Sequence, residues 1–127
     1  MANILHKELS YTLNGILFEV HNKVGKFASE QQICDLIESS FKHNNVVYVR
    51  EFVLPTVSGE QAGRHRVDFL IDNKMILEIK YRKFLTKDDY DQVKRYLSVL
   101  NLALGVLVNF RENRLHPKRI LNGGDKE

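Results

Sequence analysis

The stretch Arg66-Val67-Asp68-Phe69-Leu70-Ile71-Asp72-Asn73-Lys74-Met75-Ile76-Leu77-Glu78-Ile79-Lys80 decides the fold. Two apolar, β-branched and aromatic runs flank Asp72-Asn73-Lys74, a polar triplet suited to a tight hairpin. Strand side chains alternate faces. A three-residue loop pairs Ile71 with Met75, Phe69 with Leu77 and Val67 with Ile79, which gives one wholly apolar face. The same register sets Leu70 against Ile76 and Asp68 against Glu78 on the other face, where Lys80 also falls. A slip of one residue would mix the two sets.

Two carboxylates directly opposite one another repel. Such a pair persists where a cation sits between them: Lys80, a divalent ion, or both. Two or three oxygen donors with open positions suit Mg²⁺ or Mn²⁺, which keep several waters and favour phosphate substrates. Lys80 points at the same spot and could orient a water or stabilise charge on a phosphorane-like transition state. The plain alternative is a salt bridge of Lys80 with Asp68 or Glu78 on a solvated sheet face.

Outward from the hairpin the period changes. Leu9, Leu13, Ile16, Leu17, Val20 and Val24 recur at helical spacing, with a stop at Gly25. Ser29 with Gln32 forms a capping-box pattern, and Ile33, Leu36, Ile37 and Phe41 give the helix it opens a buried stripe. Glu30, in its first turn, leans toward the buried side; a carboxylate serving the helix dipole is the simpler use. Val46 to Leu54 reads as a strand, and 55–63 as a polar loop. Thr86 with Asp89 opens a third helix, on which Gln92 and Tyr96 lie four apart and can reach a shared site beside the sheet. Leu104 to Phe110 is an apolar run typical of a strand covered on both faces, and Lys118 to Leu121 can add a last short strand. The order α-α-β-β-β-α-β argues for an α/β sandwich around a mixed sheet, one domain over 1–121 with a loose tail at 122–127.

Composition sets the outer limits. With 127 residues and 43% hydrophobic content, a single domain with a real core is expected. No apolar run approaches membrane-spanning length, and no secretory signal is visible, so the expected setting is cytoplasmic. The lone cysteine, Cys34, can form neither an internal bridge nor a zinc site by itself and reads as a small core filler. His21 reads as a packing or hydrogen-bonding residue, and His65 and His116 as surface residues in basic clusters. Lys and Arg outnumber Asp and Glu by 19 to 16, a net charge of +3 that permits nucleic-acid binding without demanding it. The basic residues cluster around Arg64 and Arg66, around Lys80, Arg82 and Lys83, and near the C-terminus.

Taken together, these residues resemble the PD-(D/E)XK nuclease superfamily, whose acidic residue and Glu-x-Lys sit on a central hairpin. Within it, the chain is similar to the family of nucleases named for a GxxExxY motif. The matching pieces are Glu19-Val20-His21, Arg66 through Ile71, Leu77 through Lys80, Gln92 through Tyr96-Leu97, Gly105 through Phe110, and Lys118-Arg119-Ile120. The naming motif itself falls at Phe27, Glu30 and Ile33, where only the Glu is kept.

The resemblance implies a restriction-endonuclease-like α-β-β-β-α-β core. It implies a Mg²⁺- or Mn²⁺-dependent nuclease acting on DNA, with RNA as the lesser candidate, in which activated water attacks the scissile phosphate. Asp68, Glu78 and the backbone carbonyl of Ile79 would be metal ligands, and Lys80 the catalytic lysine. Glu30 would be a further acidic ligand, by analogy with Holliday-junction resolvases that carry a helix Glu there. Gln92 and Tyr96 would contact substrate or hold Lys80, and Arg64, Arg66, Arg82 and Lys83 would contact phosphates. The alternative is a catalytically silent domain of the same fold that binds nucleic acid or a protein partner. The modest charge makes a homodimer or a partner subunit the expected context, with no membrane involved.

Overall fold

The computed structural model describes residues 5–25, 28–55, 63 and 65–123. Two helices, α1 (Lys7–Lys23) and α2 (Glu30–His43), precede β1 (Tyr48–Val53), β2 (Arg66–Ile71) and β3 (Met75–Lys80). Then follow α3 (Lys87–Leu100), β4 (Leu104–Asn109) and β5 (Lys118–Leu121). The sheet runs β1-β2-β3-β4-β5. All neighbours are antiparallel except β3 and β4, which run parallel and are joined across the sheet by α3.

Local chemistry explains the boundaries. In α2 the Ser29 hydroxyl accepts from the Gln32 N–H at 3.1 Å while the Gln32 side chain accepts from the Ser29 N–H at 3.0 Å. Thr86 and Asp89 exchange the same pair of bonds at the start of α3. These reciprocal bonds satisfy backbone donors that a helix N-terminus leaves open. The hairpin turn places Asp72 and Asn73 at φ 51° and 52°. Asp and Asn tolerate this left-handed region better than most residues.

The sheet separates two cores. On one side α1 and α2 pack Leu17, Ile33, Ile37 and Phe41 against Phe69, Ile71, Leu77 and Val108. On the other, Val93, Tyr96 and Leu97 of α3 pack against Leu70, Ile76, Leu107 and Ile120. Asn122 donates to the Leu102 carbonyl and through its own N–H to that of Ala103, each at 3.0 Å; residues 124–127 lie outside the described residues.

The hairpin register is as expected over Ile71–Met75, Leu70–Ile76 and Phe69–Leu77, and there the ladder stops. Val67 does not join the face of Phe69 and Ile71; it packs on the α3 side with Leu70 and Ile76. Phe52 likewise lies on the α3 side, although Tyr48 and Arg50 of the same strand face α2. Both reversals occur at one level of the sheet. The register Arg50–Phe69 and Phe52–Val67 leaves Glu51 opposite Asp68, and Glu51 has φ 53°. Face alternation assumes extended backbone at every residue, and a left-handed residue breaks it.

At Gly105 in β4, side chains of α3 lie directly against the sheet backbone. A Cβ there would lie 2.7 Å from Val93 Cγ1 and 3.2 Å from Ile76 Cγ1, both on buried, β-branched side chains. Gly105→Ala should therefore destabilise the domain by about 1–3 kcal/mol, as overpacking does. Urea unfolding at equilibrium checks this, and an unchanged midpoint would contradict the close approach.

Candidate active site

Where the β2–β3 ladder ends, two carboxylates take its place. Glu78 Oε1 accepts from the Asp68 N–H at 2.9 Å, and Asp68 Oδ2 accepts from the Ile79 N–H at 2.7 Å. Each acid thus bonds to the other strand's backbone. Glu78 Oε2 and Asp68 Oδ1 take no part in the exchange. The expected juxtaposition of Asp68 and Glu78 is present, made by side chain to backbone rather than by a regular ladder pair.

Both acids are desolvated. Glu78 is only 4% exposed, and its carboxyl is pushed up to about 8, first by burial and then by the charge of Asp68. Burial also raises Asp68, opposed by the Ile79 N–H and by Lys80. The field of Lys80 lowers both carboxyls. Glu30, an exposed residue at the start of α2, raises both. Asp68, Glu78, Glu30, Lys80 and Arg50 thus act electrostatically on one region.

A cleft of about 250 Å³ opens beside Asp68, lined by Glu30, Gln31, Cys34, Arg50, Glu51 and Asp68. Larger hollows of 470 to 590 Å³ elsewhere do not collect these acids. Arg50, on the cleft wall, pairs with Asp35 at 2.6 Å and Glu38 at 3.1 Å. Cys34 is buried as expected, but beside the cleft; burial first, then the charge of Asp68, raises its thiol and makes it a poor nucleophile or ligand.

Donor chemistry tests the fit to a metal. Carboxylates and a backbone carbonyl are hard oxygen donors, which suit Mg²⁺ or Mn²⁺. Among the described residues, no three His, Cys, Asp or Glu side chains gather closely enough to hold an ion by themselves. Asp68 and Glu78, joined through each other's backbone, are the two carboxylates that would supply side-chain oxygens to such an ion. The residues present fit an ion that keeps part of its water shell.

The backbone beyond β3 is clamped by a residue that the sequence did not single out. Asn109, 1% exposed, faces Lys80 in the parallel register. Its Nδ2 donates to the Arg82 carbonyl at 2.7 Å, and its Oδ1 accepts from the N–H of Arg82 at 3.1 Å and of Arg111 at 3.2 Å. The Phe110 N–H donates to the Lys80 carbonyl at 2.8 Å. An Asn closing an otherwise apolar strand was the available signal.

The other expected residues divide. Tyr96 is buried on α3, 3.2 Å through its hydroxyl from His65 Nδ1, and its phenol is raised by burial and then by Glu78 and Asp68. His65, expected as a surface residue, is thus a part-buried partner of the site's tyrosine. Gln92 lies one turn earlier, half-buried. Arg82 is exposed and donates through one guanidinium nitrogen to the buried Asp89 at 3.0 and 3.2 Å. Arg66 and Lys83 are exposed, and Arg64 lies outside the described residues. His21 has the structural role expected, 2.7 Å from the Glu112 carbonyl. His116, exposed as expected, lies 3.5 Å from Glu112.

A family model described as PD-(D/E)XK nuclease superfamily matches residues 7–120. The chain belongs to that superfamily. An alkaline exonuclease from Laribacter hongkongensis superposes on this PD-(D/E)XK domain with a TM-score of 0.51 at 12% identity, over 97% of this chain and 73% of the exonuclease chain. The fold is thus the restriction-endonuclease-like one that the resemblance implied. No curated protein sequence matches the chain.

The raised carboxyls of the metal-free PD-(D/E)XK domain have a consequence for stability. Its native Glu78 holds a proton that the unfolded chain, at an ordinary value of 4.5, releases. That contribution is complete below the ordinary value and is lost as pH rises through about 8. In metal-free buffer the wild type should lose melting temperature between about pH 5 and about pH 9, and Glu78→Gln should lose less. Equal slopes for the two proteins in a pH series of thermal melts would contradict the burial of this acid.

Proposed function

We propose that the domain is a metal-dependent nuclease that hydrolyses phosphodiester bonds in DNA, and that within its superfamily it sides with the GxxExxY nucleases. The observation that carries this reading is the interlocked pair Asp68–Glu78, desolvated and within the field of Lys80. Asp68 Oδ1 and Glu78 Oε2 would hold the ion. The Ile79 carbonyl would join them, since its N–H already faces Asp68 and a residue's N–H and C=O leave a strand on the same side. Glu30 would reach the ion through water.

When bound, Mg²⁺ or Mn²⁺ supplies Lewis acidity toward the phosphate and the attacking water. The chain's own residues do the positioning. Asn109 fixes the backbone that carries Lys80, whose ammonium neutralises charge developing on the phosphate. Tyr96, held against His65, and Gln92 line the substrate side of α3. Arg66 and Lys83 contribute phosphate contacts that add affinity without sequence information. With a formal charge of only +3, a second copy or a partner subunit would extend the contact.

Supercoiled plasmid should be nicked in Mg²⁺ or Mn²⁺, and Asp68→Asn, Glu78→Gln and Lys80→Ala should each lower the rate about a hundredfold or more. In parallel, Mn²⁺ should raise the melting temperature of the wild type, by about 2.7 kcal/mol of stability at a hundredfold excess over Kd, and not that of Asp68→Asn. Cleavage that survives the substitutions would rule out this site. An absent metal shift would favour the silent, binding-only reading.

A further inference from the structure

The segment that leaves β3 carries an exposed aromatic ring on an unusually well-braced loop. Phe84 is 71% exposed, whereas its neighbour Leu85 packs beneath α3. A single exposed apolar side chain needs no explanation by itself. Here three observations stand with it.

The loop is fixed from both ends. Asn109 holds both the N–H and the carbonyl of Arg82, and Asp89 holds the Arg82 guanidinium together with the Thr86 N–H. Lys83 Nζ sits over the Phe84 ring, 5.6 Å from its centroid, so a cation already occupies the aromatic surface. Phe84 lies four positions beyond Lys80, no more than about 14 Å of extended chain, a reach of a few nucleotides along a strand.

From these we propose that Phe84 is a stacking platform for an unpaired nucleobase of the substrate strand, with Lys83 neutralising the phosphate next to it. The inference rests on the nuclease reading and deepens it, because it assigns the substrate a single-stranded segment beside the scissile bond. An aromatic ring interleaved with basic residues binds single strands by stacking plus charge, and every base offers a face to stack. The bracing means that little loop entropy is lost on binding. In a closed duplex the bases are stacked on each other and offer Phe84 nothing.

The chain contains no tryptophan, so Phe84→Trp installs a single indole reporter at a solvent-exposed position. That variant is titrated without metal against oligothymidylate, oligouridylate and a blunt, fully paired DNA hairpin closed by a non-nucleotide linker, while anisotropy of labelled oligonucleotides reports binding by the wild type and Phe84→Ala. The indole should be quenched by a single strand and not by the hairpin. Phe84→Ala should weaken single-strand binding about fivefold or more, the lower end for loss of one stacked base, and leave hairpin binding unchanged. An abasic strand should abolish the difference. Stronger quenching by thymidylate assigns DNA, and by uridylate RNA. Single strands that bind with no indole response, or equally well to Phe84→Ala, overturn the platform and leave the nuclease reading standing. A wild type that binds neither strands nor hairpin fails the nuclease reading itself.

Discussion

Neighbouring strands ordinarily join through backbone N–H and C=O groups. In this domain the β2–β3 ladder ends at Phe69–Leu77, and the next two bonds run from backbone N–H groups to the carboxylates of Glu78 and Asp68. That exchange does three things at once. It keeps the strands together past the end of the ladder, it satisfies two N–H donors that would otherwise be costly to bury, and it fixes two acids within a common electrostatic field. Everything else near the site either supports this exchange or answers its charge.

Burying a carboxylate costs several kcal/mol unless charge and hydrogen bonds compensate it. Each acid here receives a backbone N–H; Lys80 lowers both carboxyls and Arg50 lowers Asp68, while Glu30 raises both. Burial first, and then the charge of Asp68, leave Glu78 holding its proton to about 8. In the proposed function a divalent cation supplies the missing charge, so the same feature that destabilises the metal-free native state at high pH drives metal binding. Glu51 opposite Asp68, with its left-handed backbone, belongs to the same level of the sheet. Such a conformation in a residue with a Cβ costs on the order of 1 kcal/mol or more and is found where the surroundings over-determine it.

Much of this was legible in the sequence, for identifiable reasons. Capping boxes at Ser29 and Thr86 involve residues three apart, so short-range chemistry announces them. The hairpin register followed from loop length and from the apolar pairing of Phe69 with Leu77, and that register brought Asp68 to Glu78. The reversal at Glu51 and Asp68 was not legible, because alternation rules presuppose extended backbone and so put Val67 on the wrong face. His65 against Tyr96 and Asn109 against Arg82 join residues 31 and 27 positions apart, and no periodicity reports such pairs. A cluster of positive charge likewise does not say which guanidinium is already paired, as Arg82 is with Asp89.

The central proposition is that Asp68 and Glu78 leave one oxygen each for a shared ion while their other oxygens stay on the backbone. Crystals soaked in Mn²⁺ and measured at the manganese absorption edge test it directly. One anomalous peak within coordination distance of Asp68 Oδ1, Glu78 Oε2 and the Ile79 carbonyl is the expected result. Manganese bound elsewhere, with this pair bare of density, would contradict it.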